Sequence, residues 1–264
     1  MLPRVGLFVT CLVDLVRPSV GFAAVRLLEA AGCEVEVPLQ TCCGQPAYNA
    51  GDRANARDIA RRTIATFRTY DYVVAPSGSC AAMLRLHYPS LFAGEGAAEG
   101  EAKAFAERVY ELTVFLADVR GVRQTGAHFA GRVAYHDACS GLHELGIGAA
   151  PRRLLGAVEG IELAEISDGQ ACCGFGGLFS VSYPQISTAI VDKKVAAVRA
   201  TGASVLTSAD LGCLMNIAGR LQRLGCAIEC RHVAELLAGT LDDPPIGEVN
   251  RTDHLTGHLT GQSN

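Results

Sequence analysis

The sequence predicts an α/β protein: two duplicated Rossmann-like domains whose parallel sheets are related by pseudo-two-fold symmetry. Three observations predict it. Short β-branched runs alternate with amphipathic segments of helical period, the pattern of βαβ units. The order strand, Cys, helix, strand, Cys-Cys-Gly, helix, strand, Cys, helix occurs twice. Finally, matching cysteines recur at a near-constant offset: 11 to 139, 42 to 172, 43 to 173 and 80 to 213. Four in one order at one spacing indicate an internal repeat. The expected boundaries are residues 1–125, 126–240 and a disordered tail at 241–264.

In the first half a strand at Val5–Thr10 leads to Cys11, and a helix is expected over Ser19–Ala31. A short strand at Glu34–Val37 precedes Cys42-Cys43-Gly44. A helix with a polar face follows over Arg53–Arg68, and the strand Tyr72–Ala75 runs into Ser77-Gly78-Ser79-Cys80 and another helix. Phe92–Ala104, rich in Gly, Ala and Glu, reads as a loose surface loop. In the second half the strand Arg132–His136 leads to Cys139, with a helix over Ala150–Val158. The strand Glu162–Ile166 precedes Cys172-Cys173-Gly174. A helix at Tyr183–Thr201 and a strand at Ser204–Thr207 then lead to Asp210-Leu211-Gly212-Cys213 and a further helix. Beyond Asp242, Pro244-Pro245 and a repeated His-Leu-Thr-Gly at His254 and His258 read as a solvated tail.

Composition excludes several function classes. Apolar residues make up 49% of the 264 and charged residues 19%, enough for a real core. The net charge of −4 argues against a nucleic-acid binder, which needs a basic face for phosphates. Arg4, Asp14 and Arg17 interrupt the apolar start, so no signal peptide is expected. The uncharged stretch Gly169–Val191 carries glycines, a proline, glutamines and serines and is not a membrane span. The cytoplasm is the expected compartment. There thiols stay reduced, so eleven cysteines point to metal or redox chemistry rather than disulfides.

Loops at the carboxyl ends of parallel strands converge on one crevice. Cys11, Cys42, Cys43 and Cys80 are expected to meet there in one half, and Cys139, Cys172, Cys173 and Cys213 in the other. Four thiolates are the usual ligand set of an iron–sulfur cluster. Four-cysteine zinc is the rival, and with it a zinc-stabilised scaffold, although neither half has the paired C-x2–4-C knuckles of structural zinc. Successive side chains of a strand point to opposite faces, so an adjacent Cys pair must sit on a turn, for which Gly44 and Gly174 supply the freedom. Cys33, Cys226 and Cys230 fall outside the repeat and read as small core residues.

The segments Thr41–Asp52 (TCCGQPAYNAGD), Ala75–Leu84, Tyr135–Gly146, Ala171–Val181 (ACCGFGGLFSV) and Thr207–Ile217 carry a resemblance. The chain resembles the cysteine-rich CCG-domain family, and within it the lactate-utilisation branch. The wider family includes the heterodisulfide reductase B subunit and the iron–sulfur subunits of glycolate oxidase and anaerobic glycerol-3-phosphate dehydrogenase. The resemblance implies an iron–sulfur, electron-transfer subunit of an oxidoreductase complex oxidising L-lactate to pyruvate. It implies as partners a ferredoxin-like iron–sulfur subunit and a third small subunit. The cofactor expected is a 4Fe–4S cluster in each half, because Ser77 and Asp210 stand where the wider family has a fifth cysteine. Both are expected to cap the helices that follow. A heterodisulfide-reductase-like or glycolate-oxidase-like role is the alternative within the family.

His136, three residues before Cys139, is a candidate neighbour of the cluster or a structural histidine; His143 is a weaker candidate of the same kind. His232 is expected to cap the last helix. Gln45, Tyr48 and Asn49 follow the first cysteine pair and suit either a pocket or a turn. No G-x-G-x-x-G opens a helix, so nicotinamide or FAD binding of that kind is not signalled, and Gly174–Gly177 belongs to the cysteine motif. No ferredoxin-type C-x2-C-x2-C-x3-C run is present. Catalytic residues for lactate oxidation are not legible.

Overall fold

The computed structural model describes residues 1–167 and 171–248. The first half is a four-stranded parallel sheet of β1 (Arg4–Leu7), β2 (Glu34–Glu36), β3 (Tyr72–Ala75) and β4 (Val109–Glu111), in the order β2-β1-β3-β4. The second contains β5 (His128–Tyr135), β6 (Glu159–Ala164), β7 (Val205–Ser208) and β8 (Glu229–His232), in the order β6-β5-β7-β8. The two sheets therefore share one topology.

Parallel neighbours cannot be joined by a tight turn, so helices cross between them. Pro18–Ala30 starts with a proline, whose missing N–H costs nothing in a first turn, and buries Val20, Ala23, Ala24, Leu27 and Leu28. Pro184–Ala200 does the same with Ser187, Val191, Lys194, Val195 and Val198. The register repeats too. Just past β1 the Phe8 N–H donates to Val74 O at 2.8 Å, and just past β5 the His136 N–H donates to Thr207 O at 2.8 Å. Phe8 and His136 thus hold equivalent positions.

Phe92–Ala104 is not a loose loop. Ala97–Ala106 is a helix with Ala102 and Phe105 buried, and Phe105 stacks on Tyr88 at 5.9 Å. Its alanines and glutamates are helix formers, and Ala98, Ala102 and Phe105 form an apolar stripe that composition alone conceals. Strands β4 and β8, of three and four residues, were not expected. Residues 241–248 of the expected tail are placed against the second half. Ile246 is buried, with its N–H on Cys230 O at 2.8 Å, and Arg231 and Arg17 hold the carbonyls of Asp243 and Pro244. His254 and His258 lie outside the described residues. Among the described residues, no helix is long and apolar enough to cross a membrane.

The halves are joined through their interiors. One apolar cluster runs from Val5, Leu7 and Leu28 to Val133, Leu206 and Leu214, whereas Phe8, Phe67, Tyr88 and Phe105 form a second cluster within the first half. Helix Val233–Ala238 lies on Pro18–Ala30. There the buried Glu235 accepts from Arg17 Nε and Ser19 Oγ, each at 2.8 Å, and from the His232 N–H at 3.0 Å. His232 caps this helix, its Nδ1 accepting from the Ala234 N–H at 3.2 Å, while its Nε2 lies 3.2 Å from Pro76 O of the other half.

Glu111 ends β4 as His232 ends β8. Its Oε2 accepts from Thr113 N–H at 2.9 Å, Thr113 Oγ1 at 2.5 Å and Val114 N–H at 3.2 Å, while Oε1 is buried without a partner. Burial lifts its carboxyl to about 7, and the charge of Asp210 adds to the rise. A folded pKa above the unfolded one means the folded state holds the proton longer. The contribution is complete below the ordinary glutamate pKa and is lost as pH rises through about 7. Relative to Glu111→Gln, the wild type should lose on the order of 3 kcal/mol between about pH 4 and pH 8. Denaturant unfolding of both proteins across that range measures it, and parallel pH profiles would contradict it.

Candidate metal centres

Each thiol set sits where the strands of its sheet end. Cys11 opens the helix Cys11–Val16 directly after β1. The residue before it, Thr10, has φ +77°, the one non-glycine among the described residues in the left-handed region. Its Oγ1 caps that helix by accepting from the Val13 N–H at 3.3 Å. Such strain, about 1 kcal/mol or more, persists where surrounding structure enforces it and marks functional sites. Sequence alone gives no sign of it.

The cysteine pairs sit on turns made by Gly44 at φ +84° and Gly174 at φ +82°. Each turn is pinned from behind by a side chain downstream of the last cysteine. Tyr88 OH donates to Cys43 O at 3.0 Å, and Asn216 Nδ2 donates to Cys173 O at 2.8 Å. Ser187 Oγ donates to Gly174 O at 2.8 Å. Cys80 lies in the helix starting at Gly78, where Ser77 Oγ accepts from the Cys80 N–H at 3.2 Å, as expected of a cap. Cys213 lies in the helix Leu211–Arg223.

Asp210 departs from expectation. It makes no side-chain cap on its own helix. Its Oδ2 instead crosses to the first half, accepting from the Ser79 N–H at 2.9 Å and from Ser77 Oγ at 3.3 Å. The halves approach closely enough here that a Cβ on Gly78 would stand 3.1 Å from Gly141 Cα.

The structure brings the eight expected cysteines together as two sets. Cys11 Sγ and Cys42 Sγ are 3.7 Å apart, and thiol contacts continue from Cys42 to Cys43 and from Cys43 to Cys80. In the other half contacts run from Cys139 to Cys172, Cys173 and Cys213. Cys42 and Cys172 are pulled well below the ordinary thiol range, because flanking thiols and the Gly44 and Gly174 N–H groups donate to them. Cys11, Cys43, Cys139 and Cys173 are pushed up in exchange. The Gly174 N–H reaches Cys172 Sγ at 3.3 Å and the Phe175 N–H reaches Cys173 Sγ at 3.5 Å. A set of sulfurs that shares protons and receives backbone N–H groups is ready to become thiolates around a cation. Cys33 and Cys230 are buried outside the sets, and Cys226 is half-buried.

The sets differ in surroundings. Cys139 and Cys172 are exposed, whereas Cys11 and Cys42 are half-buried. His136 is fully buried beside the second set, with its ligand atom, Cys173 Sγ and Cys213 Sγ all within 4.8 Å of one another. Among the described residues neither ring nitrogen has a hydrogen-bond partner, and burial followed by the Lys194 charge lowers its pKa to about 3. Lys194 escaped the sequence reading, although a lysine on the stripe 187, 191, 194, 198 was the available signal. His143 lies in the turn Ser140–Glu144. Gln45 lines the cleft between the halves, while the Tyr48 ring lies against that of His87, tilted by 32° with centroids 4.8 Å apart. That cleft, of about 230 Å3, is walled by Cys11, Cys42 and Cys80 on one side and Phe175, Leu178 and Asp210 on the other.

The family profile of the cysteine-rich domain CCG matches residues 5–85 and 133–218, the stretches that carry the two sets. The chain belongs to the cysteine-rich CCG domain family. Relatives of similar length support the membership. It is 49% identical over 235 residues to Lactate utilization protein A of Geobacillus kaustophilus, covering 89% of this chain and 98% of that protein. It is 48% identical over 239 residues to the protein of that name from Exiguobacterium, covering 89% and 97%. The Bacillus subtilis protein of the same name is 47% identical over 235 residues, covering 89% and 98%.

Membership gives the glycine of each CCG turn a measurable role. A Cβ on Gly174 would stand 2.7 Å from Ser187 O, whereas one on Gly44 would meet the Ile59 side chain at 3.2 Å. Backbone cannot yield as a side chain can. Gly174→Ala should therefore destabilise the fold by about 2 kcal/mol or more, and Gly44→Ala by less, since both pay the left-handed penalty but one adds a backbone clash. Denaturant unfolding compares them; equal losses would contradict the account.

Proposed function

We propose that this chain is an iron–sulfur electron-transfer subunit of a multi-protein assembly that oxidises L-lactate to pyruvate. The observation that carries the reading is the duplicated set of four thiols, each gathered at the carboxyl edge of a parallel sheet. The names of the relatives supply the metabolic context. On this reading residues 1–125 and 126–240 are two cluster-bearing domains that share an apolar interior.

The donor chemistry suits the group. Four cysteines per set match the usual ligation of a 4Fe–4S cluster, and backbone N–H groups already point at two of the sulfurs. Cys11, Cys42, Cys43 and Cys80 would hold one cluster, and Cys139, Cys172, Cys173 and Cys213 the other. Bound there, a cluster would take up and release single electrons. The chain's own part is to keep the thiols reduced and close, to hold the CCG turns through Tyr88 and Asn216, and to screen the inner sulfurs from water. Thiols kept reduced for cluster binding would suit a cytoplasmic setting. The assembly would supply a ferredoxin-like iron–sulfur subunit and a third small subunit. On this reading the chain carries electrons, and no residue of it is assigned a step on lactate itself.

Protein purified without oxygen should be brown, with about four irons and four sulfides per occupied site. Cys42→Ser and Cys173→Ser should each remove about half of the iron, and the double variant nearly all of it. Iron and sulfide analysis checks this. Colourless protein with stoichiometric zinc, or single variants with full iron, would sink the reading.

A further inference from the structure

The two thiol sets follow one plan, yet one position beside them is chemically opposite. Phe8 and His136 occupy the same place, three residues before the first cysteine of each set, with the same backbone bond to the neighbouring strand. Phe8 is buried among aromatic carbon, its ring 5.8 Å from that of Phe67. His136 is equally buried, but carries two nitrogens that nothing among the described residues satisfies. An unpaired buried polar group is costly, and its retention at an apolar position needs a partner. The groups that face it are the second thiol set, with Cys173 and Cys213 nearest, and Lys194, whose charge also favours the Cys213 thiolate.

We propose that His136 donates a ring N–H to the sulfur of Cys173 or Cys213 in the loaded protein, setting the second-half centre at a higher reduction potential than the first. The proposal rests on the iron–sulfur reading above. Hydrogen bonds to cluster sulfurs and solvent exposure both favour the more negatively charged, reduced form. The second set has more of both: His136 where the first has Phe8, and exposed Cys139 and Cys172 where Cys11 and Cys42 are half-buried. His136 acts as a positioning residue through the ligand sulfurs, not as a ligand itself.

The test is an EPR-monitored redox titration of the full chain, loaded anaerobically with iron and sulfide. The wild type should show two midpoint potentials. In His136→Phe the higher should fall toward the lower, which stays where it was, and His136→Gln, which keeps an N–H, should restore part of the gap. Pulsed EPR of protein labelled with 15N-histidine should show weak nitrogen coupling at one centre, lost in His136→Phe. The proposal is overturned if His136→Phe keeps its iron and both potentials, if the lower potential is the one that moves, or if the coupling is absent. Should His136→Phe lose iron, the His136→Gln titration and the wild-type coupling decide: an unsplit pair of potentials or no coupling overturns it. Protein that takes up no iron or sulfide at either set overturns the iron–sulfur reading itself. Loaded protein with no nitrogen coupling overturns this inference alone.

Discussion

Parallel strand pairing is the constraint on which the rest of the molecule depends. Because every strand of a sheet points the same way, every loop that leaves a carboxyl end emerges along one edge. Cys11 follows β1, the CCG turn follows β2, and Cys80 follows β3; the second sheet repeats this. Residues dozens of positions apart are thus delivered to one place without any of them specifying the others. Two structures then lock the arrangement: the left-handed glycine in each CCG turn, and the polar side chain that holds the carbonyl of the second cysteine from behind.

What was legible in the sequence is what repeats locally. The offset between matching cysteines announced the duplication, alternation of short apolar runs announced the sheets, and glycine after a cysteine pair announced the turn. His232 was recognisable as a cap because a cap is a matter of its own next two residues. What escaped depends on distant partners. Asp210 sits where a local cap would, but its carboxylate finds a backbone N–H of the other half, and nothing near Asp210 in the chain records that. The composition of Phe92–Ala104, with its glycines, reads as a loop, and only the spacing of Ala98, Ala102 and Phe105 marks the helix. β4 and β8 are too short to show alternation.

The duplication has not left two equal halves. Where Ser77 serves its own helix, Asp210 serves its neighbour's; where Phe8 packs on rings, His136 faces sulfur. Each difference replaces a hydroxyl or an apolar ring of the first half by a carboxyl or an imidazole in the second. The strand order is kept, although the first half carries the helix Ala97–Ala106 before its last strand and the second has none there among the described residues; these two side-chain departures lie at a thiol set or at the cleft between the sets.

The apolar clusters also divide unequally. The buried members of the one containing Phe8, Phe67 and Tyr88 all come from the first half, with Leu145 of the second at its margin, whereas the one containing Leu28 is finished only by residues such as Val133, Leu206 and Leu214. During synthesis the amino-terminal half therefore emerges with one interior complete and another open, and the open face waits for nearly the whole of the remaining chain. Among the described residues, nearly all the buried apolar side chains of the later half belong to the cluster it shares with the first. Two units that began as copies thus differ in time of assembly: the first can bury one interior before the second is made, and the shared interior waits for both.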